Sequence, residues 1–171
     1  MVSVKPRYYA FLVLVVLFLG SLVLNWHQFT RSRTISNAVY NLGLQGALDD
    51  TIQANSIIQG KQTGTLVDAA LYLSESAGEF MSTAPVLQQL GVDHIYGIGM
   101  RLEQVSTMLA HPSKYSNAQI QTNEAFVHAT ASAFQQSWNV QQLSKSKFSR
   151  AVDTIYGSMS AQERSQLYPL Y

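Results

Sequence analysis

The hydrophobic pattern has one uninterrupted feature, an uncharged apolar run from Tyr8 to Trp26. Within it, only Gly20, Ser21 and Asn25 depart from large apolar or aromatic residues and alanine. About 19 residues at the rise of an α-helix span roughly 28 Å, close to the hydrocarbon thickness of a bilayer. The run therefore predicts a transmembrane helix.

The flanks of this run suit a membrane interface. Aromatic rings favour the headgroup level, and basic side chains extend beyond it into water. We expect these residues to complete the membrane anchor: Tyr8, Tyr9, Trp26, Lys5, Arg7, Arg31 and Arg33.

Orientation is less directly encoded, because basic residues lie on both sides of the run and nearly balance the positive-inside bias. A short amino-terminal segment and a downstream region of low charge favour an extracytoplasmic domain. We therefore expect a short cytoplasmic tail over 1–7, a signal-anchor helix over 8–26 and an extracytoplasmic domain over 27–171. The lipid bilayer is then the first partner.

Two other interpretations of the run fit its sequence less well. A cleaved signal peptide would have a shorter apolar region and a pair of small residues at its end, which the stretch leading to His27 lacks. A buried core helix of this length nearly always keeps a polar stripe. Both comparisons favour an uncleaved anchor.

Downstream of the run, apolar residues recur at spacings of three and four, which is typical of amphipathic helices. No segment alternates with a period of two, so no strand is expected. The pattern predicts helices over His27–Gln59, Thr65–Thr83, Asp93 to Leu109 or Ala110, Ser116 or Asn117 to about Gln142, and Ser146–Gly157, with a short last helix after a capping box at Ser160 and Glu163.

Proline and glycine mark the expected breaks. Pro85 should end the second long helix, with a turn or two of helix following as far as Gly91. Asp93 is the expected cap of the third helix. Gly97 and Gly99 would let a neighbouring helix approach closely. The fold prediction is all-α, a compact bundle of about four long helices after the anchor.

Composition excludes several classes of site. The chain has no cysteine, so disulfides and thiolate chemistry are impossible. After the anchor it carries 9 basic and 10 acidic residues and no basic stripe, and its aromatic residues are not interleaved with cations. We therefore expect no nucleic-acid partner.

Candidate chemistry is sparse. Glu124 and His128 share a helical face at i, i+4, but a metal site needs further ligands and the same spacing is common in ordinary helices. Asp49 and Asp50 are adjacent and diverge by about 100° on a helix, whereas paired catalytic acids must converge. No nucleophile elbow or phosphate-binding loop is present. We expect no catalytic residue, no metal, no cofactor and no enzymatic activity.

The remaining features favour an interaction protein. Our first hypothesis is a membrane-anchored module that binds or regulates another cell-envelope protein or a second copy of itself. The alternative is a sensing or carrier domain for a small molecule, and an envelope-acting enzyme is third. An aromatic tail could fold back onto the bundle or dock on a partner. The residues expected at a pocket or interface are Tyr72, Phe80, Tyr96, Phe126, Phe134, Trp138, Tyr168 and Tyr171.

Overall fold

The protein is all-helical apart from one very short strand pair, which confirms the predicted fold class. A computed structural model describes residues 6–38, 44–139, 142–143 and 145–167. Its helices are α1 (Pro6–Ala38), α2 (Leu44–Ile58), α3 (Leu66–Gln89), α4 (Ile95–Ala110), α5 (Asn117–Ser137), α6 (Lys145–Ser158) and α7 (Ala161–Leu167), with a 3₁₀ turn at Pro112–Lys114. The chain divides into two units, Met1–Asn37 and Ala38–Tyr171.

The first unit consists of most of α1. Among the described residues, its stretch Val13–Arg31 is the one helical segment long and apolar enough to cross a membrane, and none of it is buried. The large apolar side chains from Val13 to Leu24 are between 38% and 68% exposed.

The residues expected at the ends of the anchor are described only in part. Trp26 is 70% exposed, and Arg31 is also exposed. Lys5 lies outside the described residues, as do the side chains of Arg7, Tyr8, Tyr9 and Arg33.

The second unit is organised around α3, which packs most extensively against α4 and α2, while α5 packs on α2 and α6. Three phenylalanines link these layers. Phe80 on α3 lies 5.4 Å from Phe134 on α5, and Phe134 lies 5.7 Å from Phe148 on α6, measured between ring centroids. All three rings are fully buried. Burying a ring of this size contributes about 2–3 kcal/mol.

Reciprocal side-chain caps define three helix starts. Thr65 and Asp68 cap α3, with the Asp68 amide donating to the Thr65 hydroxyl and the Thr65 amide donating to the Asp68 carboxylate. Ser116 and Gln119 make the same pair of bonds at α5. The capping box predicted at α7 is confirmed, because the Ser160 amide donates to Glu163 at 2.8 Å.

The predicted end of the second long helix at Pro85 is wrong, since α3 continues through this proline to Gln89. An interior proline costs about 3 kcal/mol. Beyond it, however, Leu87 is fully buried, and burying such a side chain contributes about 1.5–3 kcal/mol. Pro85 itself is exposed. Tertiary burial of the following turn therefore offsets much of the local cost.

The predicted cap of α4 is also displaced. His94, not Asp93, is the N-cap residue, and it makes no capping hydrogen bond through its side chain. Its backbone is left-handed, with φ of 69°. The His94 ring stacks on Tyr156 of α6, with centroids 4.0 Å apart. A contact with a distant helix thus takes the place of the predicted local cap.

The close approach predicted at Gly99 is confirmed. A Cβ atom at this position would lie 2.8 Å from the Met81 side chain and 3.0 Å from the Ala77 carbonyl oxygen of α3. Gly97 is buried as well. The missing side chains let α4 lie directly against α3.

The carboxyl-terminal part departs from prediction at one junction. The end of the fourth long helix, predicted near Gln142, is wrong, because α5 stops at Ser137. Residues Trp138–Asn139 (β1) and Gln142–Leu143 (β2) then pair as antiparallel two-residue strands. Two residues are too few to show a period-two pattern, so no sequence signal marked them. The predicted amphipathic helix that follows is confirmed as α6.

Candidate functional site

The aromatic residues predicted to share a pocket are distributed over the core and the surface. Phe80 and Phe134 are fully buried against each other, as described above. Phe126 is half-buried beneath the Arg101 guanidinium, 5.4 Å from its ring centre, and Tyr96 is 43% exposed. Tyr72 is half-buried at the surface of α3. The side chain of Trp138 and residues Tyr168 and Tyr171 lie outside the described residues.

Charge is segregated along the second unit, whose residues 38–171 include seven basic and ten acidic side chains. Residues 44–89, which form the hairpin of α2 and α3, contain five acidic residues and one basic residue, Lys61. We call this segment the acidic hairpin. The five acidic residues are Asp49, Asp50, Asp68, Glu75 and Glu79. The hairpin therefore carries a net charge of about −4 when all these groups are ionised.

A surface groove opens where α2 ends and α3 begins. It has a volume of about 440 Å³, and the acidic groove, as we name it, is lined by Ile57, Gln62, Thr63, Asp68, Leu71, Tyr72 and Glu75. Its charged members are both carboxylates. The groove thus combines negative charge, one aromatic ring and two aliphatic side chains.

The Asp68 carboxylate is held in place by the cap of α3. Hydrogen bonds from the Thr65 backbone amide and hydroxyl, at 2.7 and 2.8 Å, lower the pKa of Asp68. The group is therefore ionised at neutral pH, and negative charge persists at this side of the groove.

Two aliphatic side chains protrude from the same surface. Leu71 is 61% exposed and Val67, one helical turn before it, is 50% exposed. Isolated exposed aliphatic residues need no explanation, but a pair at i, i+4 beside a groove forms a small apolar patch. The acidic groove therefore has a protruding apolar edge.

The acidic residues of the two helices converge farther along the hairpin. Asp50 of α2 is half-buried, and burial together with the charges of Glu75, Glu79 and Asp49 raises its pKa to about 6. The Glu79 carboxylate lies against the α2 backbone, where a Cβ atom on Gly46 would be 2.6 Å from Oε2. That oxygen is buried and has no hydrogen-bond partner among the residues that the structure describes. The hairpin thus holds mutually repelling charges within its own packing.

The sequence reasoning missed this convergence, because it considered Asp49 and Asp50 on one helix alone. Counting charge over each predicted helical hairpin would have revealed the imbalance. The facing of Asp50 toward Glu79 needed the register between α2 and α3.

A second groove of opposite charge lies between α5 and α6. Its volume is about 380 Å³, and the basic groove, as we name it, is lined by Ala133, Gln136, Ser137, Lys147, Arg150, Ala151 and Thr154. Lys147 and Arg150 are exposed, and they are the charged members of the lining. Two alanines supply its apolar part.

One ion pair, within the described part of the chain, joins α7 to the rest of the second unit. The buried Arg101 donates to Glu163 at 2.7 Å and also stacks over Phe126. Burial opposes ionisation of Glu163, but hydrogen bonds with Ser160 and the Arg101 charge outweigh it and lower the pKa of Glu163. This pair fixes α7 on α4 and touches neither groove.

The helical pair Glu124 and His128 does not assemble into a larger ligand set. The imidazole of His128 instead contacts Gln59 and Asn55 at the end of α2. Across the residues that the structure describes, no group of three or more histidines and carboxylates is placed to hold a metal ion. The arrangement couples α5 to α2.

The chain matches no family model, no curated protein and no solved structure. The function of the two grooves must therefore be inferred from their lining residues. The second unit presents two shallow grooves of opposite charge, one with protruding aliphatic side chains. Such surfaces bind charged groups and apolar side chains.

Proposed function

We propose that this protein is a membrane-anchored, non-enzymatic helical module whose acidic groove binds a protein of the cell envelope, either a different protein or a second copy of itself. In this proposal residues 1–7 lie in the cytoplasm, 8–26 span the membrane, and 27–171 form a compact extracytoplasmic bundle of about four long helices. The observation that carries it is the placement of exposed Leu71 beside the Asp68 and Glu75 carboxylates. The matching partner segment is cationic and carries an aliphatic or aromatic side chain.

Membrane residence is supported by the surface of α1. The ten Leu, Val and Phe residues between positions 13 and 24 are all exposed. At 0.3–0.6 kcal/mol each in a bilayer core, they would favour insertion by about 3–6 kcal/mol. A cleaved signal sequence would share this composition, so the fate of the segment is part of the test.

The alternative function, small-molecule sensing, has weaker support. The volume of the acidic groove falls within the usual range for ligand sites, and Tyr72 lines it. However, Phe80 and Phe134, expected to line the pocket, are used to build the core. The exposed edge formed by Leu71 and Val67 suits a protein surface better than an enclosed ligand.

Topology can be tested directly because the chain has no cysteine of its own. We expect Gln121→Cys on α5 to react with a membrane-impermeant maleimide in intact cells, and Ser3→Cys to react only after permeabilisation. Both variants should remain in the membrane fraction after alkaline extraction. Labelling of Ser3→Cys alone in intact cells would reverse the orientation. Loss of the segment that contains Ser3 would show cleavage.

Binding can be tested with a photocrosslinking residue at Leu71, compared with the same residue at Gln121. Both positions are exposed, but only Leu71 lines the acidic groove. We expect a discrete protein adduct from position 71 in native membranes, and about tenfold less of it when Glu75→Lys reverses one groove charge. Equal adducts from both positions, or none from position 71, would contradict the proposal.

A further inference from the structure

The two grooves are complementary to each other. The acidic groove carries Asp68 and Glu75 beside a projecting Leu71, whereas the basic groove carries Lys147 and Arg150. The two grooves are therefore opposite in charge.

The apolar parts of the two grooves differ in shape. Leu71 protrudes, being 61% exposed, whereas the basic groove is floored by the small side chains of Ala133 and Ala151. Ala151 is only 8% exposed, so it forms a recess and not a ridge. A projecting leucine over an alanine floor allows close contact between two surfaces.

Within one copy the grooves do not meet. Ala133 of the basic groove neighbours Phe134, which contacts Phe80 on α3. Phe80 lies nine residues beyond Leu71 on that helix, which corresponds to about 13 Å along its axis. In the described part of the chain, the ion pair between Arg101 and Glu163 uses neither groove. Each copy therefore presents both charged grooves to other molecules.

We propose that the partner of the acidic groove is a second copy of this chain. The surface around the basic groove of one copy contacts the acidic groove of the next in a head-to-tail arrangement. Glu75 and Asp68 of one copy then face Lys147 and Arg150 of the next, with Leu71 against Ala151. Because the two surfaces differ, the contact is heterologous and can repeat along a row of copies. This inference rests on the proposed function, and it names the protein that the acidic groove binds.

Membrane attachment suits such a weak contact. Two facing charge pairs at an exposed interface contribute little each. Copies confined to one membrane meet at a high effective concentration, which compensates for low intrinsic affinity. The low content of charged residues, 12% of the chain, also limits repulsion between copies.

The test uses the full-length chain in lipid vesicles, with self-association measured by chemical crosslinking and by energy transfer between labelled copies. We expect Glu75→Lys, and separately Lys147→Glu combined with Arg150→Glu, each to reduce association about tenfold. Control reversals at exposed positions outside both grooves, Asp93→Lys and Lys114→Glu, should leave association within twofold of the unaltered chain. Helical content and unfolding temperature are recorded for every variant.

Mixing the two defective variants gives the decisive result. The Glu75→Lys variant retains an intact basic groove, and the Lys147→Glu, Arg150→Glu variant retains an intact acidic groove. The mixture should therefore form mixed dimers and no larger species. A chain carrying Glu75→Lys together with Lys147→Glu, which exchanges the charges of one facing pair and leaves Asp68 opposite Arg150, should recover association with itself. A mixture without dimers, or reversals that leave association unchanged, would overturn the head-to-tail contact.

The photocrosslinking residue at Leu71 separates this inference from the proposed function. An adduct of twice the chain mass, joined to α5 or α6, supports both. An adduct with a different protein alone preserves the proposed function and overturns self-association. No adduct from position 71 overturns both.

Discussion

Neutralising Asp50 should stabilise the second unit at neutral pH. This carboxylate is half-buried on α2, with Glu75 and Glu79 of α3 and its neighbour Asp49 acting on it. Burial and these three charges raise its pKa from 3.8 to about 6. Asp50→Asn keeps the size of the side chain and removes the charge that the folded protein tolerates poorly.

The size and sign of the effect follow from linkage. A rise in pKa of this size corresponds to about 3 kcal/mol, and solvent screening at a half-buried carboxylate reduces the effect to about 1 kcal/mol. Because the folded chain binds this proton more tightly than the unfolded chain, Asp50 makes the protein progressively less stable as pH rises from about 4 to about 6. Above that window the loss is complete.

Thermal unfolding followed by circular dichroism measures the prediction, with the full-length chain in detergent between pH 4 and 7.5. For a unit of this length, about 1 kcal/mol corresponds to a rise of about 3–4 °C in unfolding temperature. We expect Asp50→Asn to show this gain at pH 7 and to lose it near pH 4. Contributions from Asp68 and Glu163, whose pKa values are lowered, decline only as pH falls below their unfolded values, and they cancel between variant and parent.

The matched control is Asp153→Asn, which neutralises an exposed carboxylate on α6 that does not act on Asp50. It should change stability by less than about 0.5 kcal/mol at every pH. A gain for Asp50→Asn that is independent of pH, or equal to that of the control, would refute the electrostatic reasoning.

Two further predictions concern packing. Gly99→Ala places a Cβ atom against the backbone of α3 and should lower the free energy of unfolding by about 1–3 kcal/mol. At Gly78 an added Cβ atom meets nothing within 4 Å, so Gly78→Ala should raise the free energy of unfolding by about 0.5–1 kcal/mol. Denaturant unfolding measures both changes, and equal effects would contradict the close contact at Gly99. Arg101→Met removes the ion pair with Glu163 and should cost about 1–3 kcal/mol while increasing amide hydrogen exchange in α7 before other helices. Unchanged exchange in α7 would show that this pair does not hold the helix.

Features encoded within one helical turn were accessible from the sequence. The capping box of Ser160 and Glu163 and the amphipathic face of α6 depend on residues three or four apart. Features decided by contacts between distant helices were not. The burial of Leu87 offsets much of the cost of continuing α3 through Pro85, and no local pattern contains that information.

The candidate site shows the same division. Val67 and Leu71 are exposed, although apolar residues on an amphipathic helix usually indicate its buried face, because periodicity does not reveal where a neighbouring helix ends. The convergence of Asp50 with Glu79 likewise depends on the close packing at Gly46. The excess of acidic residues over 44–89 can be counted from the sequence, but the action of Glu75 and Glu79 on Asp50 depends on how α2 and α3 pack.

The unfavourable charge around Asp50 also bears on the proposed binding. Repulsion within the acidic hairpin lowers the stability of a free copy, and a cationic surface placed beside Glu75 would relieve part of it. By linkage, association should then stabilise the second unit and lower the pKa of Asp50. The pKa of Asp50, which lies outside the contact, would thereby indicate whether the acidic groove is occupied. A hairpin optimised for stability alone would not retain five carboxylates against one lysine, so the electrostatic cost to the free copy is consistent with a surface kept for a cationic partner.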